Sequence, residues 1–201
     1  MVSFMKTFKE FLSEGKDFDL EKFESDCAFA LEQLEGQFLF HGSKSWPDDW
    51  DTRSWKPRSA PRNTPEAIHL AVNEFLEKKF HVPARNWMFA SGDKSEAIVY
   101  SGNRGSVEVI YPIGKFQWLC CTDVRDLTGL WQRLVDKGFD LDDGKEELLS
   151  VLEHSNWKFN RDLIGCVESH CEIMFKCDRY YSFNYDGETF KHEIRVAAQQ
   201  L

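Results

Sequence analysis

The hydrophobic period changes along this chain, and the order of the changes limits what it can fold into. Apolar residues recur first at helical spacing, at Phe4, Phe8 and Phe11, then at Leu20, Phe23, Cys27, Leu31 and Leu34. From Phe38 onward, short β-like runs take over, with helical segments between them. The last third reads as strands over 172–177, 180–185 and 190–196, with a hairpin signal at Asp186-Gly187. A doubly wound fold needs strands and helices in regular alternation. This order instead predicts an α+β architecture built on a mainly antiparallel sheet, with flanking helices.

Local signals set the boundaries. Asp17 or Asp19 can cap the second helix and Gly36 can end it, so residues 1–36 form an N-terminal helical extension to a domain over 37–201. A short strand over 37–41 precedes a loop from Gly42 to about Asn63. The second half of that loop carries Arg53, Lys56, Arg58 and Arg62 with no acid among them, and Trp46, Trp50 and Trp55 are interleaved along it. A loop of this length is expected to be functional or mobile. Thr64-Pro65 starts the next helix, as an N-cap followed by proline at the first helical position, and it ends near Phe80. Strands follow over 87–90, 107–111 and 116–120, the last two separated by a Pro-Ile-Gly turn, and then helices over 124–137 and 145–154.

Composition narrows the class. With 201 residues, of which 17 are Phe and 7 Trp, the chain can bury a substantial core, and its composition argues against disorder. A net charge of -9 argues against binding nucleic acid through the whole surface, though not against a local basic patch. The six cysteines contain no CxxC pair, and adjacent Cys120 and Cys121 suit a disulfide framework poorly. We therefore expect free, mostly buried thiols and a cytoplasmic protein. Cys166, His170, Cys171 and Cys177 match no familiar zinc spacing, so no metal is expected. Neither a secretory leader nor an apolar run of membrane length is apparent, and GxGxxG and GxxxxGK[ST] are both missing.

Three segments could carry chemistry. Phe40-His41-Gly42-Ser43-Lys44 ends the first strand. Phe89 to Tyr100 runs from a strand end through a polar loop into a helix. Cys171-Glu172-Ile173-Met174-Phe175 opens a late strand, and Glu172 shares a face with Met174 by strand alternation. Each residue alone has a bland reading: His41 as a strand-end histidine, Tyr100 as a half-buried helix residue, Glu172 as a solvated strand residue. Glu168 and Glu188 are the competing acids, read as surface residues. His69, His81, His154 and His192 read as structural or exposed.

Taken in order, these segments resemble the ADP-ribosyltransferase superfamily, in its diphtheria-toxin-like and PARP-like branch with a His-Tyr-Glu signature. The resemblance covers roughly residues 38–185 and implies a split antiparallel sheet. It implies NAD as co-substrate, with His41 on the adenosine ribose and the Gly42 backbone at the nicotinamide amide. Phe89 and Tyr100 stand where that branch has two tyrosines that sandwich the nicotinamide ring, so the first hydroxyl is lost. Ser91 and Ser95 are similar in place to serines that other members use near the nicotinamide, and they rank below Tyr100. Glu172 resembles the catalytic glutamate, whose carboxylate steadies positive charge as the glycosidic bond breaks. His170 departs from the Gln or Glu of arginine-modifying toxins.

On this resemblance the chain is an NAD-dependent mono-ADP-ribosyltransferase, acting on a protein or nucleic-acid acceptor. It would be an intracellular effector or toxin of bacterial or phage type, with no membrane partner and a neutralising partner protein. Arg53, with Arg58 or Arg62, would reach the pyrophosphate or acceptor from the loop. The alternatives are a catalytically degenerate binding or structural protein on the same fold, and an NAD glycohydrolase in which water replaces the acceptor.

Overall fold

Helices come first, strands last, and the two kinds alternate between. The computed structural model describes residues 18–44, 49–58, 64–102 and 105–185. Over these residues the order is α1 (Leu20–Asp26), α2 (Ala28–Leu34), β1 (Leu39–Ser43), β2 (Trp50–Ser54) and α3 (Glu66–Phe80). A 3-10 turn (Ala84–Asn86), β3 (Met88–Ala90), α4 (Lys94–Ser101), β4 (Ser106–Pro112) and β5 (Gln117–Cys121) follow. The chain continues through α5 (Leu127–Asp136), α6 (Leu141–Glu153), β6 (Trp157–Phe159), α7 (Leu163–Glu168), β7 (Ile173–Lys176) and β8 (Arg179–Asn184).

The strands make two four-stranded sheets, ordered β1-β4-β8-β2 and β3-β7-β5-β6, and every pairing in them is antiparallel. The architecture is therefore α+β with an antiparallel sheet in two halves. Four of the seven connections between consecutive strands cross between the halves. The turn at Gly114 carries the chain from β4 to β5, and residues 177–178 carry it from β7 to β8, yet neither pair is hydrogen-bonded as a hairpin. Edge strands β1 and β3 meet through one bridge, in which Phe40 and Ser91 exchange both backbone bonds (2.8 and 3.0 Å).

Strand alternation divides the interior in two. On β5, Trp118 and Cys120 enter one core, while Leu119 and Cys121 enter the other. Likewise Ile173 and Phe175 of β7 face the first core and Met174 the second. The first core also takes Phe23, Ala30 and Leu34 from the N-terminal helices, with the Phe23 ring edge-on to Tyr111, Tyr181 and Phe183. Those two helices thus contribute to the first core. The second core is closed by α3, α5 and α6 through Ile68, Val72, Leu76, Leu130, Leu134, Leu148 and Leu152.

Several expectations need correction. The helix over 20–34 is broken at Cys27, which is fully buried, leaves helical geometry (φ −104°, ψ 10°) and directs its thiol at the Tyr111 carbonyl. Asp19 does cap the first half, accepting from Lys22 N. The first strand starts two residues late and runs on through Gly42 to Ser43. Pro65, not Thr64, occupies the N-cap of α3, because the Thr64 hydroxyl turns to Thr128 Oγ1 at 3.2 Å. The long loop contains β2, paired along its whole length with β8, so its middle is sheet edge. β6 and α7 had no counterpart in the sequence reading. Two cysteines are not free: Cys120 and Cys166 form a disulfide with Cα atoms 6.1 Å apart, because α7 lies against β5. Cys27, Cys121, Cys171 and Cys177 are free and buried. Trp46, Pro47, Pro61, Arg62, Asp186-Gly187, Glu188, His192 and the strand over 190–196 lie outside the described residues, as do residues 1–17. No helix among the described residues is long and apolar enough to cross a membrane.

Candidate functional site

The seam between the two sheet halves opens into a cleft of about 330 Å³, within the range of roughly 300–1,000 Å³ common for small-molecule sites. Each half supplies a wall, and α4 and the 3-10 turn close the ends. His41, Gly42, Phe89, Ser91, Tyr100 and Glu172 all line it, although they span 132 positions from the first to the last (172 − 41 + 1).

His41 enters from β1. Its Nδ1 sits 2.6 Å from the carbonyl oxygen of Phe89 across the seam. A carbonyl only accepts, so the proton is on Nδ1 and the ring is fixed in that tautomer. Gly42, the next residue, lies under α4. A Cβ there would stand 2.7 Å from Ser101 N and 2.9 Å from Tyr100 Cβ. Glycine is thus required for the helix to rest directly on the strand. This contact places Tyr100 over the cleft.

The N-terminal end of α4 is pinned separately. Asp93 caps it by accepting from Ser95 N at 2.8 Å. Arg125 clamps the same turn, bonding Asp93 at 2.8 Å and Glu96 at 2.7 Å. The carbonyl of Arg125 in turn accepts from Glu172 N at 2.7 Å. One arginine therefore ties the helix that carries Tyr100 to the backbone of Glu172.

Glu172 precedes β7 and points to the face of Met174, as strand alternation requires. Its side chain is only 10% exposed and is bonded through Oε1 to Nη1 of Arg85, itself 6% exposed. Burial raises the Glu172 carboxyl above the usual range. Arg85 opposes that rise, Asp126 adds to it, and Arg58 opposes it more weakly. The Tyr100 hydroxyl is likewise pushed up, first by burial and then by the charge of Glu172, so it is a neutral hydrogen-bonding group.

Arg85 was not expected at the site. It occupies the 3-10 turn ahead of β3, and Asn73 Oδ1 fixes its backbone N at 2.9 Å. The Asn73 amide also donates to Asn86 Oδ1 at 3.0 Å, beside His69. Burial lowers the pKa of His69, which favours its neutral form. The only sequence hint was an arginine between Ala84 and Asn86 just before a strand, with nothing nearby to name its partner.

The remaining expected residues divide. The Phe89 ring lines the cleft but already has the guanidinium carbons of Arg58 and Arg85 at 4.4 and 4.7 Å from its centroid. Ser91 is 2% exposed, and its hydroxyl accepts from Asp93 N at 3.0 Å, so it chiefly shapes the turn into α4. Ser95 is exposed on α4 and is not among the cleft-lining residues. Arg53 is committed elsewhere: its Nη1 bonds both carboxylate oxygens of fully buried Glu108, at 2.9 and 3.0 Å. Glu108 also accepts from Ser182 Oγ at 2.7 Å. The positive charge facing the cleft from this segment comes instead from Lys56 and Arg58. Arg58 is held near Arg85 by its backbone N, which donates to Asn86 O at 2.9 Å.

The assembled cleft thus offers an oriented imidazole, an aromatic face on a pinned helix, a buried carboxylate and three cationic side chains. That combination suits an anionic ligand with a planar ring, at which positive charge develops near the carboxylate. Comparison with protein-family models, with curated proteins and with solved structures found no match to this chain.

Proposed function

We propose that the cleft binds NAD and that the protein is a mono-ADP-ribosyltransferase of the His-Tyr-Glu kind. What carries this reading is the convergence of His41, Gly42, Tyr100 and Glu172 on one cleft from three separate segments. In this reading the adenosine ribose rests at His41 and the nicotinamide stacks on Tyr100. The pyrophosphate meets Lys56 and Arg58, and the Glu172 carboxylate bonds the nicotinamide ribose. The bond between C1′ and the ring nitrogen breaks, its electron pair leaves with nicotinamide, and positive charge develops across C1′ and the ribose oxygen. Glu172 stabilises that charge until an acceptor nucleophile attacks C1′ and loses its proton. The acceptor is a protein or nucleic acid. An effector or toxin role inside a host cell, with a neutralising partner protein, belongs to the same proposal.

The decisive experiment incubates the protein with a cell lysate and NAD labelled in the adenylate half, then follows nicotinamide release and the labelled product by mass spectrometry. Labelled macromolecule supports transfer, and free ADP-ribose alone supports NAD glycohydrolase activity. Neither product appearing would refute the proposal.

A second reading, a binding protein on a degenerate site, draws on Phe89. Guanidinium groups cover its ring, and Glu172 is already paired. NAD bound without nicotinamide release would favour that reading.

A further inference from the structure

Glu172 is unusual because two features of its surroundings oppose each other. The chain buries a carboxylate that, under the proposed reaction, must be ionised. Burial of this kind favours the protonated acid. A buried cation in direct contact is the means available to resist it.

We propose that Arg85 is a positioning residue for glycosyl transfer: bonded to Glu172 Oε1, it keeps the carboxylate charged and leaves Oε2 for the ribose of NAD. This inference rests on the NAD-cleaving reading of the cleft and adds a residue to it.

The geometry supports a one-sided hold. Among the described residues the carboxylate is engaged through Oε1 alone. The arginine cannot drift, because its backbone is bonded to Asn73 and its turn is built into the second core through Ala84 and Trp87. Its Nε is buried without a hydrogen-bond partner. Among the described residues, charged and titratable groups face Glu172 from several elements, with His41 and Lys56 lining the same cleft. Arg85 comes from the 3-10 turn, Arg58 from the segment after β2, Asp126 from the N-cap of α5, Tyr100 from α4, and Cys171 from the adjoining backbone. Of these, Arg85 exerts the largest pull towards the charged form, and Asp126 pushes the other way.

Activity needing ionised Glu172 is present above its folded-state pKa and is lost as pH falls through it. That value already lies above the ordinary carboxylate range. Removing Arg85 leaves burial and Asp126 unopposed except by Arg58, so the acid limb of the pH–rate profile moves to higher pH.

The test compares wild type, Arg85→Lys and Arg85→Met. Nicotinamide release from NAD is measured across pH, and the Glu172 carboxyl is titrated by carbon-13 NMR, with Glu172→Gln used for assignment. For Arg85→Met, the Glu172 titration and the acid limb should both move up by about one pH unit or more, the reach of an adjacent opposite charge. At neutral pH kcat should fall by roughly 10-fold or more while KM changes little. Arg85→Lys should restore most of the profile. If Arg85→Met does not fold, Arg85→Gln, which keeps a donor without the charge, gives the same comparison. An unchanged Glu172 titration in the charge-removed variant overturns the proposal. A wild-type protein that releases no nicotinamide overturns the NAD reading, while the NMR titration still decides whether Arg85 holds Glu172 ionised.

Discussion

Replacing Gly42 with alanine probes the contact on which the cleft is built. The added Cβ would lie 2.7 Å from the backbone nitrogen of Ser101 and 2.9 Å from Tyr100 Cβ. The Ala97 carbonyl oxygen would lie closer still, and ordinary contact lies at about 3.5 Å, so α4 would have to withdraw from β1 by roughly 1 Å. The opposing atoms belong to helix backbone and not to the tip of a flexible side chain. The helix must therefore move as a unit, against the Asp93 and Glu96 bonds to Arg125 that pin its other end. Overpacking of this kind costs about 1–3 kcal/mol, and backbone opposition puts this case at about 2–3 kcal/mol. For a chain of this size each kcal/mol lowers Tm by roughly 2–4 °C, so a fall of about 4–12 °C is expected. Circular dichroism melts and urea titrations of both proteins measure it. Tyr100 rides on the displaced helix, so NAD turnover should fall by about 100-fold, the cost of a misplacement near 1 Å. A variant that melts within about 1 °C of the parent would show that α4 does not rest on Gly42.

Other outcomes follow from the same geometry. Glu172→Gln should retain NAD binding and lower turnover by about 100-fold or more, read by nicotinamide release; full activity would move the catalytic acid elsewhere. Tyr100→Ala should weaken NAD binding by about 1–2 kcal/mol and Tyr100→Phe by much less, measured calorimetrically; equal binding by both would make the ring a packing residue only. Arg53→Met should destabilise the fold by about 3 kcal/mol, because it leaves Glu108 buried and unpaired, yet should leave the Michaelis constant for NAD unchanged. Thiol titration of denatured, unreduced protein should count four groups, matching the four free cysteines. In the native state labelling should be slow, since burial raises Cys27 and Cys177 to about 12 and Cys171 to about 11.

What could be read from sequence was whatever repeats within one element. The apolar stripe of α3, the alternation at the start of β7, the cap at Asp19 and the placing of Glu172 on the Met174 face are local properties, set by 3.6- and 2-residue periods. Hence α+β and antiparallel strands were legible, and so was the local placement of His41 on the first strand, Tyr100 on a short helix and Glu172 ahead of a late strand. Short or polar elements left little pattern. β2 has one partly buried aromatic and edge geometry, β6 has three residues and α7 six. Their existence depends on partners supplied from elsewhere in the chain. The rest was decided by tertiary structure alone. The Cys120–Cys166 bond spans 46 positions, the Arg53–Glu108 bond 55 and the Arg85–Glu172 bond 87. A side chain's sequence neighbours carry no information on which distant strand the chain will bring beside it. Arg53 and Arg85 are the same residue type in similarly unmarked settings. One became a buried strut for Glu108 and the other the counter-ion of Glu172, because sheet pairing delivered a different carboxylate to each.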